Sequence, residues 1–539
     1  MKKIKAILIM IVSILCLTTL ASCGKKANIE VVNISAMRTK IGVTIKVDDP
    51  KSYITQGSIT AYLYETDDDG NKVDETYFDA LEEDEQTKTF KNLEEETTYK
   101  LVIKATVDDK TKTFYNKKIT TTNEGSSEEN PIIISTAADF QDIIYDADAY
   151  YKLDKDIDLN DEAGNKGSLT PLFDATTKFE GHFDGNGHTI SNFVLDNSKT
   201  YNALFGYVAV GATIKNLNVE GVKVSTTKGS NLYVSSFVGV NQGTITNCHV
   251  KDVTIEQYGS LSSKVFVGGF VAVNAGIVED SSIDEATISS RTRHESFVGG
   301  FAGSNGGVIQ PAVDYAKITN STATNITITA KFESTVTVDK ETSDYDYFFM
   351  YVGGFVGETR NDISDCFAEA NITATSSYIT GSLLESFDII IGGFAGRVVT
   401  CSKVDACASA ATLNVSITAA YKQYVGALIG QISDSIVSNS LAILVDENSV
   451  ASTVDHTKEE YSKVISICDD LSFAVIGNIS DAFETASSAI TNVAYNASNV
   501  SFAPDTDEST GHVSIATSET SFDKQAYFTA AILSLLEKY

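Results

Sequence analysis

The feature that most constrains this chain is a phrase that recurs, with variation, from residue 201 to about 493. Clear copies read FVGVNQGTITNCHVKDVTI from Phe237 to Ile255, FVAVNAGIVEDSSIDEATI from Phe270 to Ile288 and FVGETRNDISDCFAEANI from Phe355 to Ile372. The first half combines a small-residue pair, an apolar anchor and a glycine. The second half is Ile or Val, any residue, Asn or Asp, then Cys, Ser or an aliphatic residue, and it starts at Ile214, Ile245, Val278, Ile318, Ile363, Val404, Val437 and Ile490. The anchors are Leu204, Phe237, Phe270, Phe301, Phe355, Phe394, Leu428 and Val475, with successive gaps of 33, 33, 31, 54, 39, 34 and 47 residues. A repeat of this length marks a solenoid, in which each unit buries its apolar face only against its neighbours.

Within a unit, Val, Ile, Thr and Phe alternate with small or polar residues, which favours strands. Glycines such as Gly239, Gly243 and Gly276 divide each unit into short pieces. No unit carries an apolar stripe long enough for a crossover helix, so the expected fold is a parallel β-helix with one unit per coil. Every second side chain then enters a narrow bore and meets its equivalent in the next coil. Ile245, Val278, Ile318, Ile363, Val404 and Val437 are expected to form one aliphatic stack. Asn216, Asn247, Asp280, Asn320, Asp365, Asn439 and Asn492 form a column with a turn role, broken by Ala406. Cys248, Ser281, Ser321, Cys366, Cys407 and Ser440 follow it as small residues at a crowded corner.

These phrases, with Val267-Gly268-Gly269-Phe270, Val298-Gly299-Gly300-Phe301 and Val352-Gly353-Gly354-Phe355, resemble the GLUG motif of bacterial surface and secreted proteins. The likeness covers residues 131 to 500 and implies a right-handed β-helix of the pectate-lyase-like type. It implies no defined catalytic residues.

The N-terminal segment supplies an address. Met1-Lys2-Lys3-Ile4-Lys5 is basic, Ala6 to Leu20 is apolar, and Leu20-Ala21-Ser22-Cys23 closes the run. This resembles a bacterial lipoprotein signal, implying cleavage after residue 22 and lipid attachment at Cys23, followed by a tether over 23–28. The competing reading is an ordinary secretory signal with a chance cysteine. Residues 29–122 form a separate block of alternating runs, among them Ile59-Thr60-Ala61-Tyr62-Leu63-Tyr64 and Tyr99-Lys100-Leu101-Val102-Ile103. Six or seven strands at this spacing predict a small sandwich. Leu93-Glu94-Glu95-Glu96-Thr97-Thr98-Tyr99 resembles the tyrosine-corner region of fibronectin type III domains, although the chain has no Trp for the early strands. A calcium loop centred on Gly70 would end on Glu65 and Thr76 and lacks the bidentate acid, so 67–71 reads as a solvated turn.

Residues 123–130 read as a linker. Residues 131–200 are expected to cap and enter the β-helix, with Thr136 capping a helix to about Tyr145 whose face is Phe140, Ile143 and Ile144. A cap is needed because an open solenoid end exposes strand edges and bore residues. Asp184-Gly185-Asn186-Gly187 reads as a turn, with a metal or substrate acid as the minor alternative. The β-helix proper spans 201–500. One swollen unit carries extra residues over 331–351, read as longer strands with an exposed turn. Residues 501–539 are expected to form the other lid, with Tyr527, Phe528, Ile532, Leu535 and Leu536 on a short helix.

Composition limits function. The formal net charge is −31, and loss of residues 1–22, with three lysines and no acids, makes it −34. Such acidity argues against nucleic acid, which requires clustered Lys and Arg. The six histidines show no ligand spacing, and Cys401 and Cys407 lack nearby partners for zinc. Neither cofactor nor metal is expected. The remaining cysteines read as small buried residues rather than disulfides. The reading that fits best is a lipid-anchored bacterial cell-surface protein, non-enzymatic, with a binding, adhesion or structural role. A Gram-positive membrane is favoured over an outer membrane, and a glycan or a host or matrix protein is the expected partner. The alternative, a polysaccharide lyase or glycosidase, rests on fold analogy. Its acids would have to converge on one face.

Overall fold

The computed structural model describes residues 27–49, 52–65, 71–78, 85–160, 163–195, 200–226, 233–260, 264–292, 295–306, 315–334, 348–378, 387–399, 402–417, 422–433, 435–445, 474–476, 489–495, 517–518 and 524–537. The chain divides into two compact units, 1–132 and 133–539. The lipoprotein-like signal, Cys23 and the turn over 66–70 lie outside the described residues.

The first unit is a sandwich of seven antiparallel strands. They are β1 (Asn28–Ala36), β2 (Ile41–Asp48), β3 (Ile59–Glu65), β4 (Lys72–Phe78), β5 (Glu85–Phe90), β6 (Thr98–Val107) and β7 (Lys110–Thr120). Sheet order is β1-β2-β5 against β4-β3-β6-β7. The alternation read from the sequence sets the core: Ile41, Val43, Ile45 and Val47 from β2 meet Leu63, Leu101 and Ile103 from the other sheet. Tyr99 opens β6, and its hydroxyl accepts the Glu94 N–H at 2.9 Å, the bond of a tyrosine corner. Residues 123–130 close on themselves: Asn130 Nδ2 donates to the Asn123 carbonyl at 2.7 Å.

The second unit is a stack of parallel coils. In one coil, Thr244–Thr246 leads through Asn247 and Cys248 into His249–Ser260, then Val265–Gly268, then Val271–Asn274, before Ile277–Glu279 begins the next coil. The first two kinds of strand belong to a 21-stranded sheet and the last two to a 14-stranded sheet. The expected aliphatic stack is present. Backbone register runs Ile214, Ile245, Val278, Ile318, Ile363, Val404, Val437, Ile490 in unbroken succession. From Ile214 to Val437 every member is fully buried, so each contributes about 1.5–3 kcal/mol. The anchors form a second stack, with ring centroids 4.9 Å apart for Phe237 and Phe270, 4.6 Å for Phe270 and Phe301, 4.8 Å for Phe301 and Phe355, and 4.9 Å for Phe355 and Phe394.

The swollen unit changes nothing in this register. Phe297 pairs with Tyr351 and Ala302 with Val356 across it. Its extra length enters as a long strand, Thr322–Ser334, and as Phe348–Gly353, while 335–347 lie outside the described residues.

Two corner devices explain the recurring residue types. Asn216, Asn247, Asp280, Asn320, Asp365 and Asn439 all have φ between 51° and 56° or, for Asn320, 47°. Asn and Asp tolerate this left-handed conformation best among residues with side chains. Their amides also join coils: Asn247 Nδ2 donates to Asn216 Oδ1 at 2.8 Å, and Asn320 Nδ2 to Asp280 Oδ1 at 2.6 Å. Ala406 occupies the same conformation with φ 51° and no such side chain. At the other corner, a Cβ on Gly269 would collide with the Gly300 carbonyl, one on Gly300 with that of Gly354, and one on Gly354 with that of Gly393. Hence the Gly-Gly pair at 268–269, 299–300, 353–354 and 392–393, with Ser235-Ser236 and Gly426-Ala427 in its place in two other copies.

The two terminal helices differ from expectation in instructive ways. Ala137–Asp142 is capped by a reciprocal pair, with the Thr136 side chain accepting the Asp139 N–H and the Asp139 carboxylate accepting the Thr136 N–H. It tightens into a 3-10 turn over Ile143–Tyr145. Phe140 is buried edge-on against Phe183 and Phe205, each at 5.7 Å, which plugs the bore. Ile143 is buried, but Ile144 is 36% exposed, because the tighter turn rotates it out of the face expected for it. The C-terminal helix, Ala530–Leu536, packs Ile532 and Leu536, with Phe528 just before it, against Phe367, Ala408, Ala410, Leu441 and Ile443. Phe367, Ala408 and Leu441 continue the outward column of His249, Ser282 and Thr322. The helix therefore lies against the outward flank of the long sheet; most of the lid expected over 501–539 lies outside the described residues.

Candidate functional site

Cys23, the expected lipid-attachment residue, lies outside the described residues; the other described residues singled out by the sequence have structural partners. Asp184 accepts from the Asn186 N–H at 2.8 Å and from Asn216 Nδ2 at 3.0 Å, as a turn residue does. The thiols of Cys248, Cys366 and Cys407 are buried and free. Each donates to a backbone carbonyl two residues earlier, at 3.4, 3.1 and 3.2 Å. Burial pushes the Cys248 thiol up to about 12, so it stays protonated and inert. Among the described residues no three His, Cys, Asp or Glu gather as a metal would require.

The acids nearest to a cluster are held in ion pairs. The fully buried Glu358 receives Arg360 Nε at 2.7 Å and lies 3.4 Å from Arg397 Nη1. Arg397 also donates to the Tyr351 hydroxyl at 3.1 Å. Burial raises the Tyr351 phenol far above its ordinary value, against the opposing charge of Arg397. Glu333 receives both Arg291 and Lys331. Burial works to raise its pKa, but these two cations outweigh that and hold it below the usual carboxylate range.

What the coils do present is a surface. Outward positions on the long strands stack in register as Lys223, Thr254, Thr287, Thr327, Asn371 and Thr412. Two residues along, Ser225, Glu256, Ser289, Thr329, Thr373 and Asn414 form a parallel column. Between the columns run Ile255, Ile288, Ile328, Ile372 and Leu413, all pointing into the bore and fully buried. The pleat thus holds the polar columns on one side of a stiff sheet, with neighbours about 4.8 Å apart across strands and roughly 7 Å along them. Thr and Ser supply most positions, and Thr is restricted at χ1.

Two further columns escaped the reading of the repeat. Asn241 Nδ2 donates to Asn274 Oδ1 and Asn274 Nδ2 to Asn305 Oδ1, both at 2.8 Å and buried. Tyr201, Tyr233, Phe266, Phe297 and Tyr351 stack outside the bore at centroid spacings of 4.8, 5.6, 4.6 and 5.0 Å. The signal for both was present: an Asn four residues after each phenylalanine anchor at 237, 270 and 301, and an aromatic residue four before the anchor at 237, 270, 301 and 355.

Fold and surface together define an all-β protein in which a sandwich unit precedes a parallel β-helix with a regular outer face. Comparison with known proteins adds partial likenesses. The chain is 33% identical over 130 residues to a protein of Evansella cellulosilytica described as a Gly-rich membrane protein; the match covers 23% of this chain and 15% of that protein. It is 34% identical over 128 residues to the halomucin of Haloquadratum walsbyi, covering 22% of this chain and 1% of the other. The chain thus spans a small fraction of these relatives. No protein-family profile and no solved structure matches it.

Proposed function

We propose that this is a bacterial cell-surface protein, anchored by lipid at Cys23, whose β-helix serves binding or adhesion rather than catalysis. The observation that carries this reading is the outer face of the long sheet, an in-register polar array, beside acids held in ion pairs such as Glu358 and Glu333. A reaction centre gathers groups of shifted acidity in a cleft; a contact surface repeats the same group along a stiff support. The names of the two similar proteins, one a Gly-rich membrane protein and the other halomucin, support a surface setting. The fibronectin type III-like reading of the sandwich and the GLUG reading of the repeat belong to the same proposal, the sandwich acting as spacer or contact module between anchor and coils.

The test has two parts. Metabolic labelling with a fatty acid should mark the wild-type chain, and Cys23→Ala should release it into the medium unlabelled. The full chain on an array of glycans and host or matrix proteins should bind without shortening a fluorophore-labelled polysaccharide panel. Chain shortening would make it an enzyme, and retention of label by Cys23→Ala would remove the anchor.

A further inference from the structure

The outer face carries more information than its existence. We infer that the strip formed by Thr287, Ser289, Thr327, Thr329, Thr373 and Thr412 is a binding site for an uncharged, extended polysaccharide lying along the coil axis. This deepens the binding role proposed above and rests on it.

Charge chooses the partner. In a chain of net charge −31, this strip carries no charge, and each cation beside it has an acidic partner. Lys223 pairs with Glu256 at 3.3 Å. Lys251 lies 4.0 Å from Asp284 and 3.4 Å from Glu285. Arg291 and Lys331 share Glu333. These four cations are all paired, and Glu220, Asp252 and Glu369 on the same strands add further acid. An anionic polymer finds no spare cation here, and the field of the whole chain repels it. A basic partner finds no unpaired acid within the strip.

Hydrogen-bonding capacity narrows the class further. The six hydroxyls make no side-chain hydrogen bond within the described residues, and each can both donate and accept. An apolar partner would strip them of water without replacing its bonds, at about 1–3 kcal/mol for each group left unpaired. A polypeptide strand adds to a sheet through a free edge, whereas this face offers side chains only. A polyol presents donors and acceptors together. If it is extended and regular, it meets successive rungs about 4.8 Å apart, each time with the same geometry. The scaffold is already ordered: Ile255, Ile288, Ile328 and Ile372 fix the strands from beneath. Little conformational entropy is then lost on binding.

The experiment is affinity electrophoresis and pull-down of the full chain against neutral polysaccharides (cellulose, xylan, mannan, mixed-linkage β-glucan) and anionic ones (alginate, polygalacturonate). The expected result is retention by at least one neutral polymer and by neither anionic one. The triple variant Thr287→Ala, Thr327→Ala, Thr373→Ala should weaken retention at least tenfold with unchanged thermal unfolding. Thr329→Lys tests the same strip by charge and bulk on an exposed site, and should also weaken it. Tyr77→Ala, on the sandwich unit, should leave it unchanged. Preference for the anionic polymers, or undiminished binding by both strip variants, overturns the inference. Binding to arrayed proteins with no retention by any neutral polymer also overturns it, while leaving the broader binding role intact; no binding to any surface removes both.

Discussion

The helices at Ala137–Asp142 and Ala530–Leu536 look alike in sequence: both are short, both begin after a threonine, and both carry one apolar face. One closes the bore by pressing Phe140 onto Phe183 and Phe205. The other lies across the outside of the sheet, over Phe367, Ala408 and Leu441. An amphipathic stripe shows that one side is covered; it does not show by what. The missing information was in the sheet. The outward column reads Asn218, His249, Ser282 and Thr322 through four coils and then turns apolar at Phe367, Ala408 and Leu441. A polar column that becomes apolar on the solvent side announces a cover.

This contrast can be broken or sharpened by experiment. The largest effect is expected from Phe140→Ala, which should cost about 3–5 kcal/mol and unseat the plug, seen as lost hydrogen-exchange protection in Tyr150–Leu153 and His182–Asp184. Gly300→Ala, midway between the ends, should cost about 1–3 kcal/mol through overpacking against the Gly354 carbonyl, read as a lower urea midpoint. Ile532→Ala should act locally. It should release the C-terminal helix and expose Phe367 and Leu441, raising dye binding to apolar surface, while the coils up to residue 330 keep their protection. If Ile532→Ala unravels those coils, the helix is a lid after all.

Two smaller effects probe the corner. Ala406→Asn should stabilise by roughly 1 kcal/mol, because Asn relieves the left-handed strain that Ala bears there; a higher melting temperature would show it. Beside it, burial works to raise the pKa of Asp405, but hydrogen bonds from Lys403, Ser438 and Asn439 outweigh burial and hold it low. A carboxylate depressed in the folded state stabilises above its unfolded value of 3.8 and loses that contribution as pH falls through the folded value. The stability difference between wild type and Asp405→Asn should therefore shrink between pH 6 and pH 3, by less than about 1 kcal/mol for so exposed a group.

Much of the solenoid was legible because each coil repeats one physical problem. Ile245, Val278 and Ile363 recur where the bore needs a branched aliphatic side chain, and Asn247, Asp280 and Asn320 recur where the backbone turns left-handed. The Asn241–Asn274–Asn305 amide chain was equally periodic, but a polar residue does not by itself announce burial; only burial with full pairing reveals it as core. Ile144 was misplaced because a 3-10 turn changes the angular step from one residue to the next. The outer strip was hardest to read. Thr and Ser at alternate positions are ordinary for any strand, and they become a surface only when six strands align them.

The segment joining each long strand to the next coil wall is six residues in one coil, 227–232, and thirteen in another, 335–347, yet the pairing on either side is undisturbed. Doubling such a connection costs only about 0.6 kcal/mol in closure entropy. Foreign peptides grafted at these seams would therefore bring little penalty to the assembly of the coils, which makes the chain a natural carrier for inserted sequences.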